Sequence, residues 1–371
     1  MCCCSGHGSA ELARMLDGPE GYASGGRLKM KYEPSYDGLR ACAVAGVIAV
    51  HVGVPLPGGG TGVEVFFALS GFLITRILLD EEEKTGGVNL KRFYKRRVLR
   101  LAPALLSVLL VVTAYAWAIG NFREQAFSSI TALLYLMNFN RAFEWGSQVR
   151  LGHTWSLSME EQFYFIWPFV LLLIPKGLRL KVTLFLIISV CLWRGWLLIS
   201  GAGVERVYNG LDTHSEVLLM GCIAAMVGRG ASNQVKLNLI RFAYVPIAFL
   251  AWEVFYLNAA SALGQGIGTI GIGVMSCWLI LALPDLVWLR APLSLPVFVY
   301  LGRISYALYL WHFPILHIGR ELGLPHWGKF TPVVSLIVAA ASYRWLEAPF
   351  LRLKERGAGS TINEPALPSA S

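Results

Sequence analysis

The sequence predicts an all-α, polytopic membrane protein with about ten transmembrane helices and one short re-entrant or interfacial helix. Three observations carry this expectation. Of 371 residues, 55% are hydrophobic and only 15% are charged, against about 25% charged in an average soluble domain, and a soluble fold does not hide that much apolar surface. Several apolar runs approach the ~20 residues that cross a hydrocarbon core of about 30 Å, which makes membrane lipid the first partner. The basic residues behind the net charge of +9 sit in short clusters between those runs, not along one face, so the charge reads as topology and nucleic acid is excluded as a partner.

Residues 1–36 contain no apolar core of signal-peptide length and are expected to form a disordered cytoplasmic tail. Cys2, Cys3 and Cys4 fall in it, and Met30 stands just ahead of the first apolar run as a second candidate start. Expected spans follow near Gly38 to Val54, Val63 to Leu79, Val98 to Ala118, Glu161 to Ile174, Val182 to Ser200 and Ser215 to Val227. Four more lie near Phe242 to Leu257, Gly266 to Leu283, Val297 to Leu316 and Pro332 to Leu346. The run from Phe127 to Phe139 is too short for a full crossing and is expected to re-enter or lie at the interface. Sorting Lys and Arg into alternate loops places 22 on one side and six on the other, with four inside spans, which predicts that both termini are cytoplasmic. Residues 37–350 form the membrane domain, and 351–371, rich in Ser, Pro, Ala and Gly, read as a second disordered cytoplasmic tail. Cys42, Cys191, Cys222 and Cys277 lack the spacing of metal ligands or paired disulfides, so no metal is expected.

Ionisable side chains within a membrane are costly and default to functional candidates. Arg40 and His51, eleven residues apart, return almost to one helical face and stand about 16 Å apart along the axis. After His51 comes a glycine loop, Pro57 to Gly62, and then Glu64 at the head of the next helix, placed either to orient His51 or to complement its own helix N-terminus. Ser70-Gly71 lacks the Gly-x-Ser-x-Gly elbow, and close helix packing accounts for it better than a nucleophile does. Gly266-x-Gly268-x-x-Gly271 matches a dinucleotide fingerprint but has no preceding strand, so helix contact is again the better account.

The stretch Tyr36-Asp37-Gly38-Leu39-Arg40, the ten residues leading to His51, and Val65-Phe66-Phe67-Ala68-Leu69-Ser70-Gly71-Phe72-Leu73-Ile74 together resemble the membrane-bound acyltransferase type 3 family. Three further blocks agree in order: Arg92 to Arg100 (RFYKRRVLR), His153 to Tyr164 (HTWSLSMEEQFY) and Ile304 to His312 (ISYALYLWH). The resemblance runs from about Tyr36 to Phe350 and makes 37–350 a transmembrane acyltransferase domain. It implies an enzyme of the bacterial inner membrane that transfers an acyl group, commonly acetyl, from acyl-CoA to a hydroxyl of a carbohydrate or glycolipid. Acyl-CoA is then a donor substrate, and no permanently bound cofactor is implied.

The family's paired arginine and histidine map to Arg40 and His51, and its Arg-x-x-Arg element to Arg97 and Arg100, a pair on one helix face suited to the phosphates of CoA. His51 is expected to act as general base, or to carry the acyl group itself, with Glu64, Glu160 or Glu161 orienting it and Arg40 stabilising the donor or the developing charge. Adjacent helical residues point about 100° apart, so only one of Glu160 and Glu161 is expected to face the site directly. Trp155, Ser156 and His312 are expected on the acceptor side. The family often shows an arginine and an aspartate where this chain has His214 and Glu216, so no role is carried over there. A transporter or flippase for a lipid-linked sugar is the alternative, because buried Arg and His also suit a translocation path, although no inverted repeat supports it.

Overall fold

The computed structural model describes residues 32–256 and 264–351. The first 31 residues and those after 351 lie outside this range, and with them most of the two expected tails. Every regular element among the described residues is helical, as expected. In chain order they are α1 (Pro34–His51), α2 (Thr61–Thr85), α3 (Leu90–Ala118), α4 (Phe122–Leu133), α5 (Met137–Phe143), α6 (Trp155–Leu173), α7 (Arg179–Ile199), α8 (Val204–Asn209) and α9 (Leu211–His214). The chain continues through α10 (Glu216–Gly230), α11 (Asn233–Arg241), α12 (Tyr244–Tyr256), α13 (Thr269–Ala282), α14 (Val287–Leu293), α15 (Pro296–Arg303), α16 (Ser305–Glu321) and α17 (Trp327–Ser342).

Ten crossings are not what the chain forms. Among the described residues four helices are long and apolar enough to cross a membrane: Thr61–Thr85, Leu90–Ala118, Lys176–Ile199 and Gly266–Asp285. A fifth is added if α11 and α12, bent by 46° at their junction, make one span. The other apolar runs fail on length, charge or continuity. The 15 residues of α10 rise only about 22 Å, short of a core of about 30 Å. α1 carries Asp37, Arg40 and His51, and α6 begins at Trp155 and takes Glu160 and Glu161 into its body. The run from Val297 to Leu316 is split at Ile304 between α15 and α16. The run from Phe127 to Phe139 is likewise two helices, α4 and α5, because Tyr135 adopts a φ of 54° between them. With these elements removed from the crossings, the loops no longer alternate as the charge count requires, and the expectation for the termini loses its basis.

Local chemistry sets the ends of the elements that hold the site. Pro34 occupies the first turn of α1, and the Glu33 carboxylate accepts from the Ser35 amide at 3.3 Å. Asn89 caps α3 through the Arg92 amide at 2.9 Å, and α2 stops at Gly86, whose φ of 77° suits a residue without Cβ. α2 is the axis of the fold. Of its apolar window 67% is enclosed by protein, against 11% for Lys176–Ile199, which presents its apolar surface outward.

Small residues let α2 and α10 touch backbone to backbone. A Cβ on Gly71 would lie 1.9 Å from the Leu218 carbonyl oxygen, and one on Gly221 would lie 2.2 Å from that of Ala68. Ser70-Gly71 is therefore a packing element, since close approach supplies dispersion where lipid offers no hydrophobic drive. Gly221→Ala is expected to lower the thermal unfolding midpoint in detergent, because overpacking a tight contact costs about 1–3 kcal/mol. Gly46→Ala, whose Cβ would meet nothing within 4 Å, is expected to leave the midpoint unchanged or raise it. Equal midpoints for the two variants would show that the α2–α10 contact is looser than described.

Two of the most deeply buried arginines are paired. Arg194 and Glu216, 3% and 0% exposed, form a buried ion pair between α7 and α10. Arg150, 1% exposed, donates to Glu321 at 3.0 Å and to Gln125 at 3.1 Å. Breaking such pairs one partner at a time strands a charge, which costs more than the intact pair contributes.

Candidate active site

Five helices converge on one cavity. Arg40 comes from α1, Phe66 and Phe67 from α2, Arg97 and Arg100 from α3, and Ser156, Glu160, Glu161 and Tyr164 from α6, with Tyr306 and Tyr309 of α16 closing it. Arg97 and Arg100, three residues apart, share a helix face. Both line the cavity, but Arg97 is already held: it donates to both oxygens of Glu161, and its guanidinium lies 3.5 Å above the Tyr164 ring centroid. Arg40 Nε is buried without a hydrogen-bond partner. Three guanidinium groups thus face two carboxylates on the lining, an excess of positive charge that suits an anion.

Both glutamates line the cavity, not one alone. Glu160 accepts from the Ser70 hydroxyl at 2.7 Å, while Glu161 takes Arg97. Their directions differ as helix geometry requires, yet the cavity is wide enough to be reached from both. Ser70 acts as a donor to Glu160 and does not itself line the cavity.

His51 is not on this lining. It ends α1 among a second group of residues, with its Nδ1 2.9 Å from His312 Nε2 and the two rings stacked at 5.0 Å. His153, in the turn Gly152–Thr154 ahead of α6, meets the His312 ring edge-on at 5.3 Å and stacks on Phe313 at 4.8 Å. Burial, reinforced by the neighbouring His312 and His51, pushes the His153 imidazole well below its ordinary value. Tyr309 and Ser156 stand between the two groups of residues. Their hydroxyls lie 2.6 Å apart, Tyr309 also donates to the His153 carbonyl, and its ring centroid is 5.7 Å from that of His312. The histidines therefore adjoin the cavity across one tyrosine and one serine.

The remaining expected residues fall elsewhere. Glu64 reaches His214, not His51: its carboxylate lies 2.9 Å from His214 Nε2, and His214 Nδ1 bonds the Tyr208 carbonyl at 2.6 Å. Helical twist turns Glu64 toward α9, away from the end of α1. Trp155, 6% exposed, packs behind the cavity wall on Phe67 and Tyr208, with centroids at 6.2 and 4.7 Å. The glycine loop folds back on α1, where a Cβ on Gly59 would fall 1.6 Å from the Val50 side chain. His153, Tyr309, Tyr164 and His214 carry no role in the sequence reading. The signal available for them was their position in the HTWS, EEQFY and SYALYLWH blocks or, for His214, beside the departure from the family pattern.

Comparison with known proteins decides the family, because the model of the acyltransferase domain matches residues 33–343. The chain belongs to that acyltransferase family. Within it, the chain is 32% identical over 355 residues to the peptidoglycan O-acetyltransferase OatA of Listeria monocytogenes, covering 87% of this chain and 56% of that protein. It is 33% identical over 350 residues to a Staphylococcus aureus protein named "Putative O-acetyltransferase", covering 87% of this chain and 58% of the relative. A Bacillus subtilis protein named "Putative peptidoglycan O-acetyltransferase" is 32% identical over 350 residues, covering 86% and 55%. The chain spans just over half the length of these curated relatives. No solved structure matches it. Among the described residues no group of His, Cys, Asp and Glu has the arrangement of a metal site. The acyltransferase match covers all five convergent helices of the cavity, together with His51, His153 and His312.

Proposed function

We propose that this acyltransferase-family chain moves an acyl group, acetyl first among candidates, from acyl-CoA to a carbohydrate hydroxyl, with a peptidoglycan-type glycan as the acceptor to test first. The carrying observation is the cavity of Arg40, Arg97, Arg100, Glu160 and Glu161 set one tyrosine away from His153 and His312, with His51 bonded to His312 beyond it. Arg40 and Arg100 hold the donor's phosphates by charge-assisted hydrogen bonds, and the thioester arm extends past Tyr309 toward His51, about 16 Å along α1 from Arg40.

His51 then serves as general base. The acceptor O–H gives its proton to the imidazole as the oxygen bonds to the acyl carbon, the C–S bond breaks, and the leaving thiolate takes the proton, giving the ester and CoA thiol. The imidazole rests neutral and able to accept, because burial, with His317 and Arg141 nearby, lowers its pKa to about 4. The names of the relatives support a glycan acceptor, and the membrane-spanning character of α2 and α3 supports an acceptor met at a membrane.

Purified protein in lipid nanodiscs, supplied with acetyl-labelled acetyl-CoA and soluble peptidoglycan fragments, is expected to move label onto the glycan. Label that stays on CoA while a lipid-linked sugar crosses vesicle membranes carrying the protein would replace this reading with translocation.

A further inference from the structure

His312 is 0% exposed, and its Nδ1 lies 2.7 Å from the Tyr309 carbonyl oxygen and 3.1 Å from that of Leu308. Carbonyl oxygens only accept, so Nδ1 carries the hydrogen, and in a neutral ring Nε2 is left with the lone pair. That lone pair faces His51 Nδ1 at 2.9 Å. Two lone pairs at this separation repel, so the hydrogen between the rings belongs to His51 Nδ1. The same rule then places the lone pair of His51 on its other nitrogen, Nε2. A doubly protonated His312 would reverse the order, but it would bury a cation among His51, His153, Tyr309 and Phe313, none of which is a carboxylate.

We propose that His312 is a positioning residue: by accepting from His51 Nδ1 it holds His51 in the tautomer whose Nε2 receives the proton of the acceptor hydroxyl. This rests on the reading of His51 as the base. The two carbonyls of α16 set His312, His312 sets His51, and the chain of bonds ends at the reacting nitrogen. When His51 takes the acceptor's proton at Nε2, its Nδ1–H bond to His312 becomes charge-assisted and strengthens as the charge develops. The arrangement performs the orienting task of a carboxylate in an acid–base triad with a neutral acceptor. No carboxylate among the described residues bonds His51, which is why the role falls to His312.

The test compares His312→Phe, which keeps a buried ring but cannot accept, with His312→Gln, whose amide oxygen can accept from His51. His312→Phe is expected to lower kcat by about 100-fold or more, within the range of general-base contributions, with KM for acetyl-CoA unchanged, and His312→Gln is expected to recover most of that loss. Unaltered kcat in a folded His312→Phe protein would overturn the proposal, and a rise in KM alone would make His312 a substrate contact instead. Nitrogen-15 resonances of labelled histidine in the unmodified protein give a reading that no folding defect touches: His51 Nε2 is expected unprotonated and Nδ1 protonated, and the reverse would overturn the proposal. Loss of transfer in His51→Ala together with full activity in His312→Phe would remove this inference alone, whereas full activity in His51→Ala would remove the reading on which it rests.

Discussion

His51→Ala is expected to cut acyl transfer by about 10²–10⁴-fold, the usual contribution of a positioned acid–base group, while the protein still inserts and folds. The side chain sits at the last residue of α1 and is half-buried, with one hydrogen bond, to His312. Its removal leaves the His312 acceptor without a donor, a cost of about 1–3 kcal/mol, small beside the stability of a bundle of this size. The measurement is the initial rate of label transfer at saturating acetyl-CoA, with size-exclusion and thermal-melt profiles as controls for folding. Near-normal rates in a well-folded His51→Ala protein would exclude it as the base and would shift attention to the carboxylates of the cavity. His51→Gln is expected to be as inactive as alanine, because an amide restores a hydrogen bond but takes up no proton near neutral pH.

Arg100→Gln is expected to raise KM for acyl-CoA by about 10- to 100-fold with little change in acceptor affinity. Hydrogen bonds to charged groups contribute about 1.5–3 kcal/mol, and about 1.4 kcal/mol is a factor of ten. Lysine at this position is expected to recover only part of the loss, since it keeps the charge but not the guanidinium fork. Arg97 predicts a different pattern because Glu161 already holds it. Arg97→Gln strands that carboxylate, so the melting temperature falls along with donor affinity. The loss stays below the ~3–5 kcal/mol of a fully buried pair, because the two side chains remain 24% and 13% exposed. Adding Glu161→Gln is expected to return the stability and not the donor affinity. Donor-dependent kinetics and calorimetry distinguish these outcomes. Weakened acceptor binding with unchanged donor KM in Arg100→Gln would show that the cavity takes the sugar and not CoA.

Composition and motif order were enough to read the helical class, the membrane-spanning character and the acyltransferase family, because each is a property of residue types along the chain. Arg40 could be singled out as an ionisable group in an apolar run, and Arg97, Arg100, Glu160 and Glu161 through the blocks that resemble the family; the structure gathers all five on one cavity. The number of crossings could not be read this way. An apolar run looks the same whether lipid or protein covers it, and only the fold shows that α10 is too short to span, that the Val297 to Leu316 run breaks at Ile304, and that α2 is enclosed while Lys176–Ile199 is not. Hydrogen-bond pairing was equally hidden. Glu64 lies 13 residues from His51 and 150 from His214, yet it is His214 that it meets, and the partner of His51 comes from 261 residues away. Such pairings depend on helix twist and on which helix faces pack together, and these are decided in three dimensions by backbone contacts like those at Gly71 and Gly221.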